Sequence, residues 1–450
     1  MSKRYPGGYI FRSNPTVVGP TNYGLGLEGG SAPGVWTLEQ ASYYTKIATW
    51  PKAYQQRVLY TWGHNSDGEL GLNDIVDRSS PTQVGANTTW SSISFSNLNG
   101  AGAIDLSGQL WTWGRNFKGQ LGQNDRVYRS SPVQVGALTT WSKVFAGESS
   151  FAIKTDGTLW AWGYNNDGQL GINNTFDRSS PVQVGSLTNW VKATCGSVEA
   201  SFGLKTDGTL WSWGRGNYGL LGQNDASVAR SSPTQVGALT NWADVYSASA
   251  GDYAIAVKTD GTIWSWGRNN TGQLGQNIAT TVNRSSPTQI GALTTWSKIG
   301  GSRESAYAIK TDGTLWVWGS NNSGQLGQND KVNRSSPVQV GALTTWSNVG
   351  GSNESAFVIK TDGTLWAWGS NNNGQLGQNN RTYRSSPVQV GALTTWGLLP
   401  VTGSGGNEYF GAINAPSLEA SNLWVWGRGE TAGQTAQNNL INYSSPVLIL

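Results

Sequence analysis

The chain has 450 residues, 30 Lys+Arg against 26 Asp+Glu and a net charge of +4, with the charges spread along it, which argues against a nucleic-acid groove. Its single cysteine, Cys195, excludes an internal disulfide and a cysteine-based metal site. No run approaches the roughly 18 apolar residues needed to cross a bilayer, so no membrane insertion is expected; Lys3 and Arg4 lead into Tyr-Pro-Gly-Gly, which is no secretory leader.

Residues 1–35 are rich in Gly, Pro, Ser and Asn without periodicity, and should be extended until a partner surface orders them. The string GVWTLEQASYYTKIATWP follows. Thr37 and Gln40 have capping-box spacing, which predicts a short helix over 38–46, with Pro51 beyond it to help stop it. MSKRYPGGYI followed by that string resembles the N-terminal part of structural proteins of tailed bacteriophages. The resemblance implies an anchoring arm, 1–56, with Trp36, Thr37, Gln40 and Trp50 as its anchor residues. An ordinary leader before a bacterial repeat domain stays open as the alternative.

From residue 57 the chain repeats. A Trp-Gly pair recurs at Trp62, Trp113, Trp162, Trp213, Trp266, Trp318, Trp368 and Trp426, at gaps of 51, 49, 51, 53, 52, 50 and 58 residues. A fixed period near 50 residues means one supersecondary unit used many times. In the unit 141–190, strands are expected at 142–146, 150–154, 158–162 and 181–184. Asp156-Gly157 reads as a tight turn with positive φ at both residues. Trp160 and Trp162, two apart, should share one face and pack between units, in preference to forming a sugar-stacking platform. Pro181 should open the outer strand, where a missing N–H does no harm.

Four short antiparallel strands per period make the blade of a β-propeller. LWTWGRNFKGQLGQND and FAIKTDGTLWAWGYNNDGQLG resemble the repeats of the RCC1 superfamily, over about residues 57–450, which implies a seven-bladed all-β propeller. The first two strands occur seven times and the last two eight times, the extra copy being 57–89. Seven blades, with a half-unit used for ring closure or strand exchange, is the expectation; eight remain open. The last unit is degenerate, with Tyr443 in place of the arginine of Arg-Ser-Ser-Pro and a lengthened hairpin at 415–422.

Equivalent polar residues would form rings. Glu148, Glu199, Asp252, Glu304, Glu354 and Glu408, with Asn99, would make one. The RCC1 pattern often has His near this point, so the chain departs from it. The ring reads as carboxylates accepting backbone N–H bonds in their own turns, ahead of a cation site. Arg78, Arg129, Arg178, Arg230, Arg284, Arg334 and Arg384 would make a second ring, read as clamps on long loops ahead of an anion surface. Cys195, in the slot of Ala146, reads as a small buried residue.

The candidate binding positions are those that vary after Trp-Gly, His64, Arg115, Tyr164, Arg215, Arg268 and Arg428, together with the loops before Arg-Ser-Ser-Pro. With His64 as the only histidine, no catalytic triad, metal centre or phosphate loop can be assembled; no catalytic residue, metal or cofactor is expected. The nucleotide-exchange activity of RCC1 is not carried over, because fold alone is weak warrant. The expectation is a non-enzymatic virion protein of a tailed phage. Arm 1–56 would dock on other virion proteins, in capsid or tail. Propeller 57–450 would be displayed as a homo-oligomer for host-surface glycan or protein binding, or for decoration. The alternatives are a bacterial RCC1-like propeller that binds a protein, and a glycan-degrading phage enzyme.

Overall fold

Seven four-stranded antiparallel sheets are built from residues 57–415, six of them each from one continuous sequence period. This computed structural model describes residues 56–96, 100–195 (the Cys195 side chain excepted), 200–248, 252–400 and 409–415. It also describes the backbone of four strands, Tyr9–Phe11, Val35–Thr37, Leu423–Gly427 and Tyr443–Ile449. Blades 1–6 span 90–134, 141–183, 190–235, 242–289, 296–339 and 346–389.

Blade 7 joins strands distant in sequence. Trp396–Leu398 and Tyr409–Asn414 supply its first two strands; Val58–Gly63 and Arg78–Gln83 supply its last two. The half-unit at 57–89 is therefore the closing hairpin, and the ring has seven blades. The surplus half-unit, Leu423–Gly427 with Tyr443–Ile449, lies in a separate unit formed by 1–56 and 416–450. There it makes a four-stranded sheet with Tyr9–Phe11 and Val35–Thr37. Trp36 and Thr37 belong to this sheet, Thr37 opposite Tyr9. The helix expected at 38–46, Gln40, Trp50 and Arg428 lie outside the described residues.

Blade 2 shows how the period folds. Its strands are Trp141–Phe145, Ser149–Lys154, Leu159–Gly163 and Arg178–Gln183. The second and third face each other from Ser149↔Gly163 to Ile153↔Leu159. Two details of the turn-and-edge expectation are corrected. Gly157 has φ +78 but Asp156 is not left-handed, so the loop is a type I turn closed by a left-handed glycine. Asp156 serves instead as an acceptor: its Oδ1 takes the Thr158 N–H at 2.9 Å and the Thr158 hydroxyl at 2.7 Å. The outer strand begins at Arg178, three residues before Pro181, and its ladder slips between Ala161 and Gly163. Proline is accommodated by that irregularity on an outer edge, where it also discourages pairing with another chain.

The core lies between blades. One cluster joins Phe145, Phe151 and Leu159 of blade 2 to Trp190 and Trp213 of blade 3; another joins Phe357 of blade 6 to Trp62 and Phe410 of blade 7. A blade buries its apolar face only against its neighbour, so the ring is the unit of stability. Each of the seven Trp-Gly indoles of the ring donates across the boundary to the preceding blade: Trp162 to Gln120 O at 2.8 Å, Trp318 to Gln273 O at 2.9 Å and, at the closure, Trp62 to Gln375 O at 2.8 Å. The tryptophan pair divides. Trp162 is buried as expected, whereas Trp160 is half-buried, with Lys154 Nζ 3.8 Å from its ring centre and its N–H on Thr158 Oγ1. Among the described residues no helix is long and apolar enough to cross a membrane.

Candidate functional site

Each blade ends its third strand with Trp-Gly and begins its fourth at Arg-Ser-Ser-Pro, so one face of the ring carries the long loops between them. These loops stand on a repeated frame. In blade 1, Asn116 Nδ2 donates to Asp125 O at 3.1 Å, Asp125 Oδ1 at 3.0 Å and Val127 O at 3.2 Å, while its Oδ1 accepts the Leu121 N–H at 2.9 Å. Arg129 closes the frame through Asp125 Oδ2 at 2.6 Å and Val127 O at 2.9 Å. Burial alone would raise the Asp125 carboxyl, but the Val127 N–H, Arg129 and Asn116 outweigh it and hold it below the usual range. The same clamp recurs with Arg78–Asp74, Arg230–Asp225 and Arg334–Asp330.

The frame holds the variable residues outward. Phe176 is 68% exposed, Val127 58% and Tyr128 42%. Fixed backbone beneath variable side chains is the usual construction of a recognition loop.

The acidic ring does not do what the sequence suggested. Glu354 accepts the hydroxyl of Ser323 at 2.7 Å and Glu304 the amide of Asn270 at 3.2 Å, both from the preceding blade. Their backbone carbonyls accept from the residue after Trp-Gly in the same blade, as in Ser320 N to Glu304 O at 2.9 Å, while the turn itself is closed by Ser302 N to Ser305 O at 2.7 Å. These two carboxylates thus tie blades together rather than capping their own turns. No group of three or more metal-ligating side chains occurs among the described residues. Glu199, Glu408 and Asn99 lie outside them.

Of the positions singled out after Trp-Gly, the five that are described share this face, and four of them belong to one sector. Arg115 lies over the Phe117 ring at 4.4 Å, and its Nε is buried with no hydrogen-bond partner. Lys118 Nζ is 4.9 Å from the Tyr164 ring centre and 3.7 Å from Asp177 Oδ2, to which Arg126 comes within 4.0 Å. Glu148 is buried beside this group. Burial pushes its carboxyl up to about 7, against the pull of Arg115 and Lys118 and with the push of Asp177. In blade 3 the Asn217 side-chain oxygen accepts from Arg215 Nε and NH2 at 2.9 Å, in the amide orientation that satisfies both groups. Tyr218 is held at φ 57, where every other non-glycine residue is Asn or Asp. An aromatic there costs roughly 1–3 kcal/mol and persists only where the surroundings impose it. Arg268 of blade 4 lies 5.0 Å over Tyr218 and 3.6 Å from Asp252.

Blades 5 and 6 carry Ser320 and Ser370 at the same positions, and His64 of blade 7 is bonded to Glu69 at 2.5 Å. The cation–aromatic contacts are therefore densest over blades 1–4; beyond them the face carries Lys331 Nζ 5.9 Å from the Tyr383 ring and the ion pair Arg381–Asp77 at 3.4 Å. Sequence reasoning missed Phe117, Lys118, Asp177 and Tyr218. The signal was there: Phe117-Lys118 and Tyr218 occupy slots that elsewhere hold Asn, Asp, Ser or Thr.

Comparison with known proteins places the ring. The RCC1-like domain family matches residues 53–306, and the regulator of chromosome condensation (RCC1) repeat matches 312–359 and 362–401. The human E3 ubiquitin-protein ligase HERC2 is 27% identical over 276 residues, which cover 60% of this chain and 5% of that protein. The Arabidopsis thaliana ultraviolet-B receptor UVR8 is 29% identical over 283 residues, 61% of this chain and 64% of the receptor. The chain thus spans a small part of the first relative and just under two thirds of the second. Human WBSCR16 superposes with a TM-score of 0.70 at 19% identity, covering 80% of this chain and all of that one. Prp20p of Saccharomyces cerevisiae, described with its binding to Gsp1p and histones, superposes at 0.69 and 18%, covering 82% and 94%. These two likenesses show the fold.

Proposed function

The chain belongs to the RCC1-like domain family, and from that premise we propose that it is a protein-binding module whose recognition surface is the blade 1–4 sector of the loop face. One observation carries this reading. In a ring built on one repeated motif, large cationic and aromatic departures stand side by side in four adjacent blades: Arg115, Phe117, Lys118, Tyr164, Arg215, Tyr218 and Arg268. Repetition serves the fold, so a local break in it marks a job the other blades do not share. The surface combines cations, aromatic faces and exposed apolar tips, the composition enriched at protein interfaces. Related propellers act as binding or regulatory modules, and nothing in the sector assembles a nucleophile with a base.

The test is partner recovery from the source by the full chain, with two surface variants. Phe176→Asp with Tyr128→Asp should reduce recovery of a specific partner by about tenfold or more, as expected for loss of interface anchors. Leu343→Asp with Leu393→Asp, on the opposite face, should leave it unchanged. The reverse pattern would refute the sector.

A finer reading, a virion component docked through residues 1–56, is supported by the resemblance of that segment and by its strands forming a sheet with the surplus half-unit, in a unit of their own. Removing residues 1–56 should abolish incorporation into phage particles from the source. Incorporation at the full level would dismiss this reading.

A further inference from the structure

Two kinds of ion pair occur on the loop face. The frame pairs are tight, 2.5 Å for Arg78–Asp74 and 2.6 Å for Arg129–Asp125. The sector pairs are loose: Lys118–Asp177 at 3.7 Å, Arg126–Asp177 at 4.0 Å and Arg268–Asp252 at 3.6 Å. One carboxylate is shared by two cations at 3.7 and 4.0 Å, and the half-buried Arg115 guanidinium makes no ion pair among the described residues. Donor capacity is left over beside the Phe117 and Tyr164 rings. A guanidinium braced on an aromatic face is pre-organised for a carboxylate.

We infer that the surface between Arg115, Lys118 and Arg126 receives an acidic peptide segment of the protein partner, its carboxylates on those cations and its apolar atoms against Phe117, Tyr164 and Phe176. This rests on the protein-binding reading above and names the chemistry of the contact. Glu148 sets the terms of occupancy. The groups that face it are Arg115 and Lys118 from blade 1 and Asp177 and Tyr164 from its own blade. When it is ionised it competes with the incoming carboxylate for Arg115 and Lys118. When it is protonated that competition falls away, and Asp177 alone opposes the ligand at Lys118. Peptide carboxylates stay ionised down to well below pH 6, so binding should tighten as pH falls through neutrality.

The experiment uses the full chain and three dye-labelled ten-residue peptides: Asp/Glu-rich, Lys/Arg-rich and Gly/Ser. Fluorescence anisotropy at low salt should show binding of the acidic peptide alone. Arg115→Ala with Lys118→Ala should weaken it by about tenfold, as loss of a charge-assisted contact does. Arg126→Glu, at a residue 63% exposed on its side chain, reports on the same surface without touching a buried group. It should weaken binding by about threefold. From pH 6 to 8 the wild-type affinity should fall by about three- to tenfold, and Glu148→Gln should flatten that profile. Equal binding of acidic and basic peptides, indifference to both cation variants, or affinity rising with pH would overturn the inference. So would tighter binding of a single-stranded oligonucleotide of equal charge through the same residues. If no acidic peptide binds but partner recovery is still lost in Phe176→Asp with Tyr128→Asp, the surface stands and its acidic specificity falls. If neither responds, both fall.

Discussion

Trp318 and Trp316 lie two residues apart on one strand and hold the molecule together in different ways. Trp318 is buried and hydrogen-bonded across a blade boundary to Gln273 O; Trp316 is half-buried, donates to Thr314 Oγ1 and carries Lys310 Nζ 3.7 Å above its ring. Trp318→Phe removes a buried bond and leaves a cavity, so it should cost about 2–4 kcal/mol in urea unfolding. Trp316→Phe should cost about 1 kcal/mol. Equal costs would contradict the division between core and rim. The titrating residues also act in opposite directions. The turn aspartates Asp156, Asp207, Asp260, Asp312 and Asp362 are held below the usual carboxylate range by the hydroxyl and N–H of the threonine two residues on. Their contribution is present above the unfolded value near 4 and is lost as pH falls through the lowered ones. Glu148 is raised, so the stability of its neutral form is present below about 4.5 and lost as pH rises toward 7. Glu148→Gln should therefore match the wild type at pH 4 and exceed it by about 1–2 kcal/mol at pH 8. A variant less stable at pH 8 would show that Glu148 is held ionised.

The hairpin that closes the ring has a rival in the same chain, and the residues say why it prevails. The half-unit after residue 57 keeps the frame asparagine Asn65, the buried Leu70, Gly71 at φ +71 and the clamp Arg78. The half-unit after residue 423 reads GETAGQTAQNN in place of that loop, with Thr435 and Ala436 where Leu70 and Gly71 stand, and Tyr443 for the arginine. A Cβ at Gly71 would lie 2.7 Å from Trp113 Nε1, so an alanine there forces the neighbouring indole to move. Removal of residues 416–450 should leave the ring intact, its unfolding midpoint shifted by no more than about 3 °C. Removal of residues 1–89 strips two strands from blade 7 and opens the ring. A stable, cooperative ring in that second truncation would mean that the degenerate hairpin can close it after all. The period and the doubled half-unit pointed to seven blades and to a half-unit used for closure or strand exchange, with eight blades still open; the pairing of Val58–Gly63 with Tyr409–Asn414 decides both. The details that escaped were those in which one residue type serves two geometries. Asp-Gly suits both a turn with two left-handed residues and one with a single left-handed glycine, and only the backbone shows that Asp156 is there for its oxygens. Pro181 reads as a strand start until the slip in the ladder gives it a place mid-strand.

For the whole molecule, near-identity of the blades is what makes the exception meaningful. Most of the ring was legible because each period repeats the same buried and turn residues. The sector was legible only in fragments, as Arg115, Tyr164, Arg215 and Arg268. The partners that give those residues a surface come from loops about 50 residues away, as when Lys118 of blade 1 meets Tyr164 and Asp177 of blade 2. Glu148 looked like one member of a ring, yet beside Arg115, Lys118 and Asp177 its proton affinity differs from the ordinary carboxylate. On the proposed reading, recognition is confined to this sector of one face. Site-specific photo-crosslinking in source cells tests it most directly, with a photoreactive residue placed singly at Tyr128, Phe176, Val332 and Leu343. Adducts with one partner at Tyr128 and Phe176, and none at Val332 or Leu343, are the predicted result. Adducts spread evenly over the four positions, or found only at Val332 or Leu343, would contradict it.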